Sequence, residues 1–220
     1  MRFDAVIFDF DGVIADSEAL ANQVLAEHVT RMGVPTTLED AYKRYMGRRW
    51  PEVLATIEDA LGQQLPSNFS DALMLATLKR FESDLKEIRG ATRFIRQLGS
   101  LPKCIASSST SERLSLCLQV LGLSADFPGT VFSADMVERG KPHPDIFLLA
   151  AERLNVRPAR CLVVEDSVSG VVAAKAAGMT VFGLTVGSHI RSGHAEQLLE
   201  AGADDVAASW QAVSRLHSGC

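Results

Sequence analysis

Short apolar segments alternate with longer segments of helical periodicity along most of the chain. Runs of mainly apolar or β-branched residues predict five strands, at residues 5–8, 103–107, 130–133, 161–165 and 180–184. Apolar positions at helical spacing predict helices between these runs, at residues 92–99, 111–121, 145–154 and 168–177. Strands and helices that alternate in this way are typical of a parallel sheet with right-handed crossovers and helices on both faces. The pattern therefore predicts an α/β fold.

One long segment departs from this alternation and is almost entirely helical in pattern. Apolar residues recur at helical spacing in three parts of it, at residues 20–32, 53–61 and 73–81. We therefore expect a Rossmann-like parallel-sheet core, formed by residues 1–15 and 88–220, that is interrupted by an inserted all-helical cap domain. The predicted cap comprises residues 16–87.

Turn and cap residues support the predicted core helices. Ser109 and Glu112 have the spacing of a capping box, with Ser109 as the residue that caps the helix amino terminus. Pro144 precedes the next helix, as proline commonly does at a helix start. Gly122 and Gly178 follow two predicted helix ends, where glycine is favoured.

Composition and charge limit the class of protein. The chain has 220 residues, 47% of them hydrophobic and 22% charged, with a formal net charge of -5. No basic stripe is present, so we expect neither a nucleic-acid partner nor a membrane-surface partner. No apolar run is long enough to span a bilayer. The sequence enters its first predicted strand without a signal peptide, so we expect a cytoplasmic protein.

The four cysteines are scattered along the chain, at Cys104, Cys117, Cys161 and Cys220. No two of them form the C-x-x-C pair that is common in metal and redox sites. Three lie in apolar segments, which favours buried, reduced thiols.

Polar residues follow the predicted strands at the point where each strand ends. In an open parallel sheet, ligands bind just beyond the carboxyl ends of the strands, so these side chains should share one edge. They include four carboxylates, a cluster of hydroxyls and one lysine: Asp9, Asp11, Ser107, Ser108, Ser109, Lys141, Glu165 and Asp166. Carboxylates this close repel one another, and the burial of each costs on the order of several kcal/mol. A bound cation would offset that cost.

This set of side chains suits a divalent metal ion and a phosphate ester. Hard cations such as Mg²⁺ take oxygen ligands and leave positions for phosphate oxygens and water. Lys141 and Ser107 can hold the non-bridging phosphate oxygens, where negative charge is high in the transition state. Asp9 is then a plausible nucleophile, and Asp11 can protonate the leaving alcohol and later accept a proton from the attacking water.

Four motifs resemble those of the haloacid dehalogenase superfamily, in the order in which that family shows them. They are "DFDGV", "IASSS", "GKPHPDIF" and "VVEDSVSG", and the resemblance covers essentially the whole chain. The helical insert between the first and second motifs resembles the cap of the first subfamily. The overall run is also similar to phosphosugar and phosphogluconate phosphatases of that subfamily.

The resemblance implies a role for each motif residue. Asp9 matches the nucleophile, and Asp11 matches the general acid/base, whose backbone carbonyl also binds Mg²⁺. Ser107 matches the hydroxyl that binds the phosphoryl group, and Lys141 matches the motif lysine. The acidic pair that positions the metal corresponds to Glu165 and Asp166. The expected metal ligands are therefore Asp9, Asp11, Glu165 and Asp166, with Mg²⁺ as the cofactor.

Other residues are interpreted by their place beside these motifs. Gly12 and the backbone N–H of Ser108 are expected to lie at the substrate phosphate. Arg48 and Arg49 have two interpretations, a solvated loop or a contact with an anionic or hydroxylated substrate. Ser109 is interpreted only as a helix cap. Two histidines, His189 and His194, are expected in a polar late loop and are assigned no role.

Several activities remain open within this resemblance. We expect a Mg²⁺-dependent phosphatase that acts on a small phosphorylated metabolite, a sugar phosphate or sugar-acid phosphate, through an aspartyl-phosphate intermediate. The alternative is a β-phosphoglucomutase-type isomerase, but such mutases carry a histidine at the position of Ala21. Dehalogenases lack the acid that matches Asp11, and a phosphonatase would need a cap lysine within residues 19–24. A non-enzymatic binding module would have lost a motif residue. The chain is expected to be a monomer or weak dimer.

Overall fold

A computed structural model describes residues 3–218 and contains one parallel β-sheet. The strands are β1 (Ala5–Phe8), β2 (Lys103–Ser107), β3 (Val131–Ser133), β4 (Cys161–Glu165), β5 (Thr180–Leu184) and β6 (Asp205–Ala207). Their order in the sheet is β3-β2-β1-β4-β5-β6, and every neighbouring pair is parallel. This is the strand order of a Rossmann-type sheet, in which the chain reverses its direction of winding beside β1. The predicted α/β fold class is confirmed.

Ten α-helices accompany the sheet within the described residues. They are α1 (Ser17–Arg31), α2 (Leu38–Arg44), α3 (Trp50–Leu61), α4 (Phe69–Asp84), α5 (Ala91–Gln97), α6 (Ser111–Val120), α7 (Asp145–Arg153), α8 (Val168–Ala176), α9 (His194–Glu200) and α10 (Trp210–Ser218). The chain divides into two compact units. One contains the sheet and comprises the described parts of Met1–Asp16 and Lys86–Cys220, whereas Ser17–Leu85 forms the other.

The strands follow the predicted positions closely because a strand buried on both faces is apolar at every position. All four residues of β1 and all five of β4 are buried, and Ile7 lies opposite Val163 in their register. The third strand begins one residue later than predicted, at Val131. The predicted helices of the core differ from the observed ones by one or two residues at their ends.

Three elements were not predicted at all, namely β6, α9 and α10, and α2 lies in the segment predicted to be helical but in none of its three periodic parts. Strand β6 has only three residues, lies at the sheet edge and has one fully buried position, so its apolar pattern is weak. Helices α2 and α9 have seven residues each, too few for a clear helical period. Helix α2 is nevertheless well capped, because Thr37 and Asp40 form a complete capping box.

The two chain segments that lead out of and back into the sheet-containing unit are paired with each other. The Asp16 N–H donates to the Lys86 carbonyl over 2.9 Å, and the Ile88 N–H donates to the Ile14 carbonyl over 2.7 Å. Ala15 also forms an antiparallel bridge with Glu87. The insertion therefore begins and ends at one short two-stranded junction.

The helical unit has an apolar core of its own. Val29 and Ile57 are fully buried in it, together with Phe69 and Leu73 at the start of α4. The Trp50 ring stacks on Phe69 with 6.5 Å between centroids, and its indole N–H donates to Ser70 Oγ over 3.1 Å. An inserted segment that has its own apolar core can fold as a domain.

The cysteines that the structure describes are buried thiols. Cys104, Cys117 and Cys161 are each fully buried and form no disulfide. Burial raises the pKa of the Cys117 thiol to about 12 and that of Cys161 to about 11. The neutral form therefore predominates at neutral pH, so these thiols are poor nucleophiles. The fourth cysteine, Cys220, lies outside the described residues.

Within residues 3–218, no helix combines the length and the apolar character that a bilayer crossing needs.

Trp210 packs α10 against the sheet-containing core, and its removal should be strongly destabilising. Its ring centroid lies 5.0 Å from that of Phe94 and 5.7 Å from that of Phe8, and its indole N–H donates to the Val13 carbonyl over 3.2 Å. We expect Trp210→Ala to lower the free energy of unfolding by about 3–5 kcal/mol, because it leaves a large cavity. Urea unfolding followed by circular dichroism measures this.

The matched control is Trp50→Ala, since Trp50 is 39% exposed and Trp210 only 2%. We expect its destabilisation to be clearly smaller than that of Trp210→Ala. Equal losses for the two variants would contradict the assignment of Trp210 to the core.

Candidate active site

Lys141 connects three strand ends at the carboxyl edge of the sheet. Its Nζ donates to Asp9 Oδ1 over 2.5 Å, to Glu165 Oε1 over 2.7 Å and to the Ala106 carbonyl over 3.1 Å. The lysine side chain is only 3% exposed. Burial by itself would lower the pKa of Lys141, but the carboxylates of Asp9 and Glu165 outweigh that effect and raise it. The lysine is therefore held as a cation at this edge.

Glu165 is the last residue of β4 and is fully buried. Its Oε2 accepts hydrogen bonds from the Ser167 N–H over 2.8 Å and from Ser167 Oγ over 2.9 Å, and its Oε1 faces Lys141. Gly170 makes room for the carboxylate, because a Cβ on this glycine would lie 1.7 Å from Oε1. The sequence prediction assigned no role to Ser167 or Gly170, although both belong to the quoted motif "VVEDSVSG".

Three carboxylates meet beside this lysine. One oxygen each of Asp9, Glu165 and Asp166 lies within 4.8 Å of the others, and all three residues are buried. Burial raises the pKa of Asp9 well above its usual range, Lys141 opposes this, and the neighbouring carboxylates reinforce it. A further cation would offset this buried negative charge, and hard oxygen donors are the ligands that Mg²⁺ prefers. These residues therefore fit a divalent metal ion.

Two histidines contact Asp166, although the sequence assigned them no role. His189 Nε2 lies 3.0 Å from Asp166 Oδ2, and His194 Nε2 lies 2.5 Å from the Asp166 carbonyl oxygen. The expected polar loop is wrong for His194, which is the first residue of α9, and His189 is a buried residue with 7% exposure. The chain after β5 thus returns to the carboxyl edge of the sheet, which no local pattern indicates.

The position of Gly12 has no room for a side chain, because Asp166 and His189 lie against it. Its φ is +77°, a left-handed conformation that side chains disfavour. A Cβ at this position would lie 1.9 Å from Asp166 Oδ2 and 2.7 Å from His189 Cε1. The sequence prediction placed Gly12 at the substrate, and the structure adds that its lack of a side chain makes room for Asp166.

We expect Gly12→Ala to lower activity by about 10- to 100-fold, because even a small displacement of the Asp166 carboxylate misplaces the reacting groups. The free energy of unfolding should also fall by about 1–2 kcal/mol from the left-handed conformation alone. Gly122→Ala is the control, since Gly122 has a φ of +66° and a Cβ there would meet no described atom within 4 Å beyond its chain neighbours. Equal kinetic effects in the two variants would contradict the proposed clash.

Asp11 lies close to α6 and has two partners there. Its Oδ2 accepts a hydrogen bond from Ser109 Oγ over 2.6 Å, and its Oδ1 accepts one from Arg113 Nη2 over 2.5 Å. The predicted capping role of Ser109 was wrong, because Thr110 caps α6 by accepting the Arg113 N–H over 3.3 Å. Thr110 offers the same hydroxyl one residue later, and this releases Ser109 to bind Asp11. Arg113 was missed because a single arginine on a helix carries no sequence signal.

Four predicted site residues remain to be placed, two at or just after the end of β2 and two in the helical unit. Ser107 is buried, and its Oγ accepts the Ser109 N–H over 3.1 Å, whereas Ser108 is exposed. Arg48 and Arg49 belong to the helical unit and are exposed. Arg49 precedes α3 and forms an ion pair with Glu52 in its first turn. The structure thus brings together most of the strand-end residues, and it gives Arg49 a local partner.

A Rossmann-type sheet that holds a buried lysine among carboxylates at its carboxyl edge defines an α/β enzyme with an acidic, metal-compatible centre. A family model for haloacid dehalogenase-like hydrolases matches residues 3–178. The chain therefore belongs to the haloacid dehalogenase-like hydrolase family. The predicted family and the prediction that the protein is an enzyme of the hydrolase class are both confirmed.

Individual relatives and a solved structure also match the chain over most of its length. The chain is 38% identical over 206 residues to a phosphorylated carbohydrates phosphatase from Thermotoga maritima, and the match covers 91% of this chain and 92% of that protein. It is 33% identical over 196 residues to a β-phosphoglucomutase from Bacillus subtilis, over 83% and 84% of the two chains. A crystal structure of a family hydrolase from Deinococcus radiodurans, with bound phosphate and sodium, has a TM-score of 0.85 at 33% identity over 99% and 96% of the chains.

Proposed function

We propose that the protein is a Mg²⁺-dependent phosphatase that hydrolyses a small phosphorylated metabolite, a sugar phosphate or sugar-acid phosphate, through an aspartyl-phosphate on Asp9. The observation that carries this proposal is the position of Lys141 between Asp9 and Glu165, beside the three-carboxylate cluster. The carbohydrate phosphatase from Thermotoga maritima and the phosphate in the Deinococcus structure support a phosphate ester as substrate.

In the first step, a carboxylate oxygen of Asp9 attacks phosphorus and the bond between phosphorus and the alcohol oxygen breaks. Asp11 donates a proton to the departing alcohol, which leaves as a neutral molecule. The cationic Lys141 and the Ser107 hydroxyl hold the equatorial phosphoryl oxygens, where charge develops. Phe147 contributes to holding the lysine, since its ring centroid lies 5.0 Å from Nζ.

In the second step, water attacks the phosphorus of the aspartyl-phosphate. Asp11, now ionised, accepts a proton from this water, so its protonation state is restored. The bond between phosphorus and the Asp9 oxygen breaks, which releases inorganic phosphate and regenerates the Asp9 carboxylate. Asp11 thus acts as acid and then as base within one cycle.

Asp9, Asp166 and the Asp11 backbone carbonyl would hold the metal ion. When bound, Mg²⁺ offsets the repulsion between the Asp9 carboxylate and the anionic phosphoryl group. Glu165 is also among the predicted metal ligands. Its hydrogen bonds to Lys141 and Ser167 support an indirect role, in which Glu165 fixes the position of Lys141. His189 would keep the Asp166 carboxylate oriented.

A screen of phosphorylated metabolites tests the proposed activity. The protein is incubated with Mg²⁺ and each ester, and both inorganic phosphate and isomerised sugar phosphate are measured. We expect release of inorganic phosphate from at least one sugar phosphate or sugar-acid phosphate. A mutase would produce an isomer without release of phosphate, and Ala21 argues against that outcome because the family's mutases carry histidine there. Absence of both products over the whole screen would overturn the proposed function.

Arg48 is the more promising of the two cap arginines for substrate specificity, because Glu52 already pairs with Arg49. Among residues 3–218, Arg48 has no ion-pair partner. A planar guanidinium binds a carboxylate through two hydrogen bonds, which favours a sugar-acid phosphate. We expect Arg48→Ala to raise KM about 10-fold for the best natural substrate, and to leave hydrolysis of 4-nitrophenyl phosphate nearly unchanged.

Arg49→Ala and Arg44→Ala serve as comparisons for Arg48→Ala, since all three arginines are exposed in the helical unit. An equal rise in KM for both substrates would assign Arg48 to the shared phosphate or to the fold. No change with either substrate would make it a solvated residue.

Three predictions remain: the cellular location of the protein, its partner and its oligomeric state. We propose a cytoplasmic enzyme whose partner is its small-molecule substrate and which acts as a monomer or weak dimer. Sedimentation of the purified protein tests the oligomeric state.

A further inference from the structure

The carboxylate of Asp11 is held by two side chains from the segment that follows β2. Ser109 Oγ donates to one oxygen over 2.6 Å, and Arg113 Nη2 donates to the other over 2.5 Å. The side chains of Arg113 and Asp11 are 16% and 13% exposed, so water screens this pair much less than it screens a surface ion pair. Both oxygens of the carboxylate are therefore fixed at once.

Local structure explains why Arg113 reaches Asp11. The Thr110 hydroxyl caps α6 and accepts the Arg113 N–H, which fixes the first helical turn. The side chain of Arg113 then extends to the loop after β1, where Asp11 lies. Arg113 and Lys141 thus hold different carboxylates of the same edge: Lys141 contacts Asp9 and Glu165, and Arg113 contacts Asp11.

We infer that Arg113 is a positioning residue for the general acid/base, and that it acts on the reaction through the orientation of the Asp11 carboxylate. This inference rests on the proposed function, in which Asp11 protonates the leaving alcohol. Proton transfer needs a carboxyl oxygen within hydrogen-bond reach of the alcohol oxygen. A carboxylate held at both oxygens has little rotational freedom, and loss of the Arg113 contact to Oδ1 leaves it less constrained.

The leaving group distinguishes this role from a purely structural one. An alkyl phosphate requires protonation of its alcohol, whereas 4-nitrophenolate departs without it. The ratio kcat/KM reports the steps up to release of the alcohol, so hydrolysis of the aspartyl-phosphate does not obscure the comparison. A residue that only stabilised the fold would affect both substrates equally.

The experiment measures kcat/KM for an alkyl phosphate substrate and for 4-nitrophenyl phosphate in the whole enzyme with Mg²⁺. The variants are Arg113→Gln, Asp11→Asn and the double variant. We expect Arg113→Gln to lower kcat/KM for the alkyl phosphate by about 10- to 100-fold and for 4-nitrophenyl phosphate by less than about 3-fold. In the Asp11→Asn background, the same change should have almost no further effect, because the group it orients is gone.

Two further variants test whether the effect depends on the guanidinium group of Arg113 and on its position beside Asp11. Arg113→Lys retains the charge but not the planar fork, and we expect it to recover part of the alkyl phosphate activity. Arg160→Gln is the matched control, since Arg160 forms an ion pair with Asp4, immediately before β1 and far from its carboxyl end. We expect this control to retain the activity of the unchanged enzyme on both substrates. Urea unfolding of every variant shows whether the protein remains folded.

Equal losses on the two substrates, or independent effects of Arg113→Gln and Asp11→Asn, would overturn the positioning role while the enzyme itself remains a phosphatase. An unchanged protein that hydrolyses neither substrate, nor any ester of the metabolite screen, would instead overturn the proposed function and this inference with it. If Arg113→Gln unfolds the protein, the Arg113→Lys variant decides, because a positioning role predicts a selective loss on the alkyl phosphate for that variant as well.

Discussion

Replacement of Asp9 by asparagine is expected to reduce turnover by at least about 10³-fold while the protein stays folded. The amide cannot attack phosphorus, so no aspartyl-phosphate forms. Asparagine has nearly the same shape as aspartate and is neutral, and a buried carboxyl whose pKa is already raised by its surroundings tolerates the loss of charge. Release of inorganic phosphate from the best substrate measures the effect.

Asp4→Asn is the matched control for Asp9→Asn. Asp4 precedes β1 and pairs with Arg160 at the surface, whereas Asp9 follows the same strand at its other end. We expect the control to retain full activity, and mass spectrometry of the acid-quenched unchanged enzyme to detect a phosphoryl group on Asp9. Substantial turnover by Asp9→Asn would rule out the covalent mechanism.

Removal of divalent metal is expected to have an effect of similar size. We expect chelation to abolish hydrolysis and Mg²⁺ to restore it, because Asp9, Glu165 and Asp166 otherwise repel an anionic substrate. Ca²⁺ should restore little activity, since its longer and more flexible coordination misplaces the attacking oxygen. Titration of the chelated enzyme with each ion, followed by phosphate release, measures this.

A second measurement separates metal binding from catalysis. An ion that binds the folded carboxylate cluster but not the unfolded chain stabilises the protein, so we expect Mg²⁺ at about 100 times its Kd to add about 2.7 kcal/mol of stability. We expect the thermal midpoint to rise by about 5 °C or more, and Asp166→Asn to remove most of this rise. Equal activity with both ions, or an unchanged midpoint in Mg²⁺, would contradict the metal site.

Much of the sheet and its carboxyl edge could be predicted because their causes are local. A central strand of a parallel sheet is buried on both faces, so β1 and β4 read directly as continuous apolar runs. Asp9 and Asp166 directly follow these two strands and Glu165 ends β4, and a parallel sheet brings its strand ends to one edge. The cluster of Asp9, Glu165 and Asp166 follows from this geometry, and Lys141 reaches it from the loop that follows β3.

Contacts made by helices and late loops could not be predicted in the same way. Ser109 fits a capping box by its spacing, yet Thr110 takes that position and Ser109 turns to Asp11. Either hydroxyl could cap α6 when the helix is considered alone. The choice depends on Asp11, which lies far away in the sequence but next to α6 in space.

The sequence by itself therefore determined the parallel sheet, the helical insertion and the residue types of the reactive edge, since these depend on apolar periodicity and on the short distance between a strand and the residues after it. Only the tertiary structure decided which groups hold the acids in place: Arg113 at Asp11, His189 at Asp166, and glycines where a side chain would collide. These partners come from separate segments, and their contacts arise from packing between those segments, which no local pattern encodes.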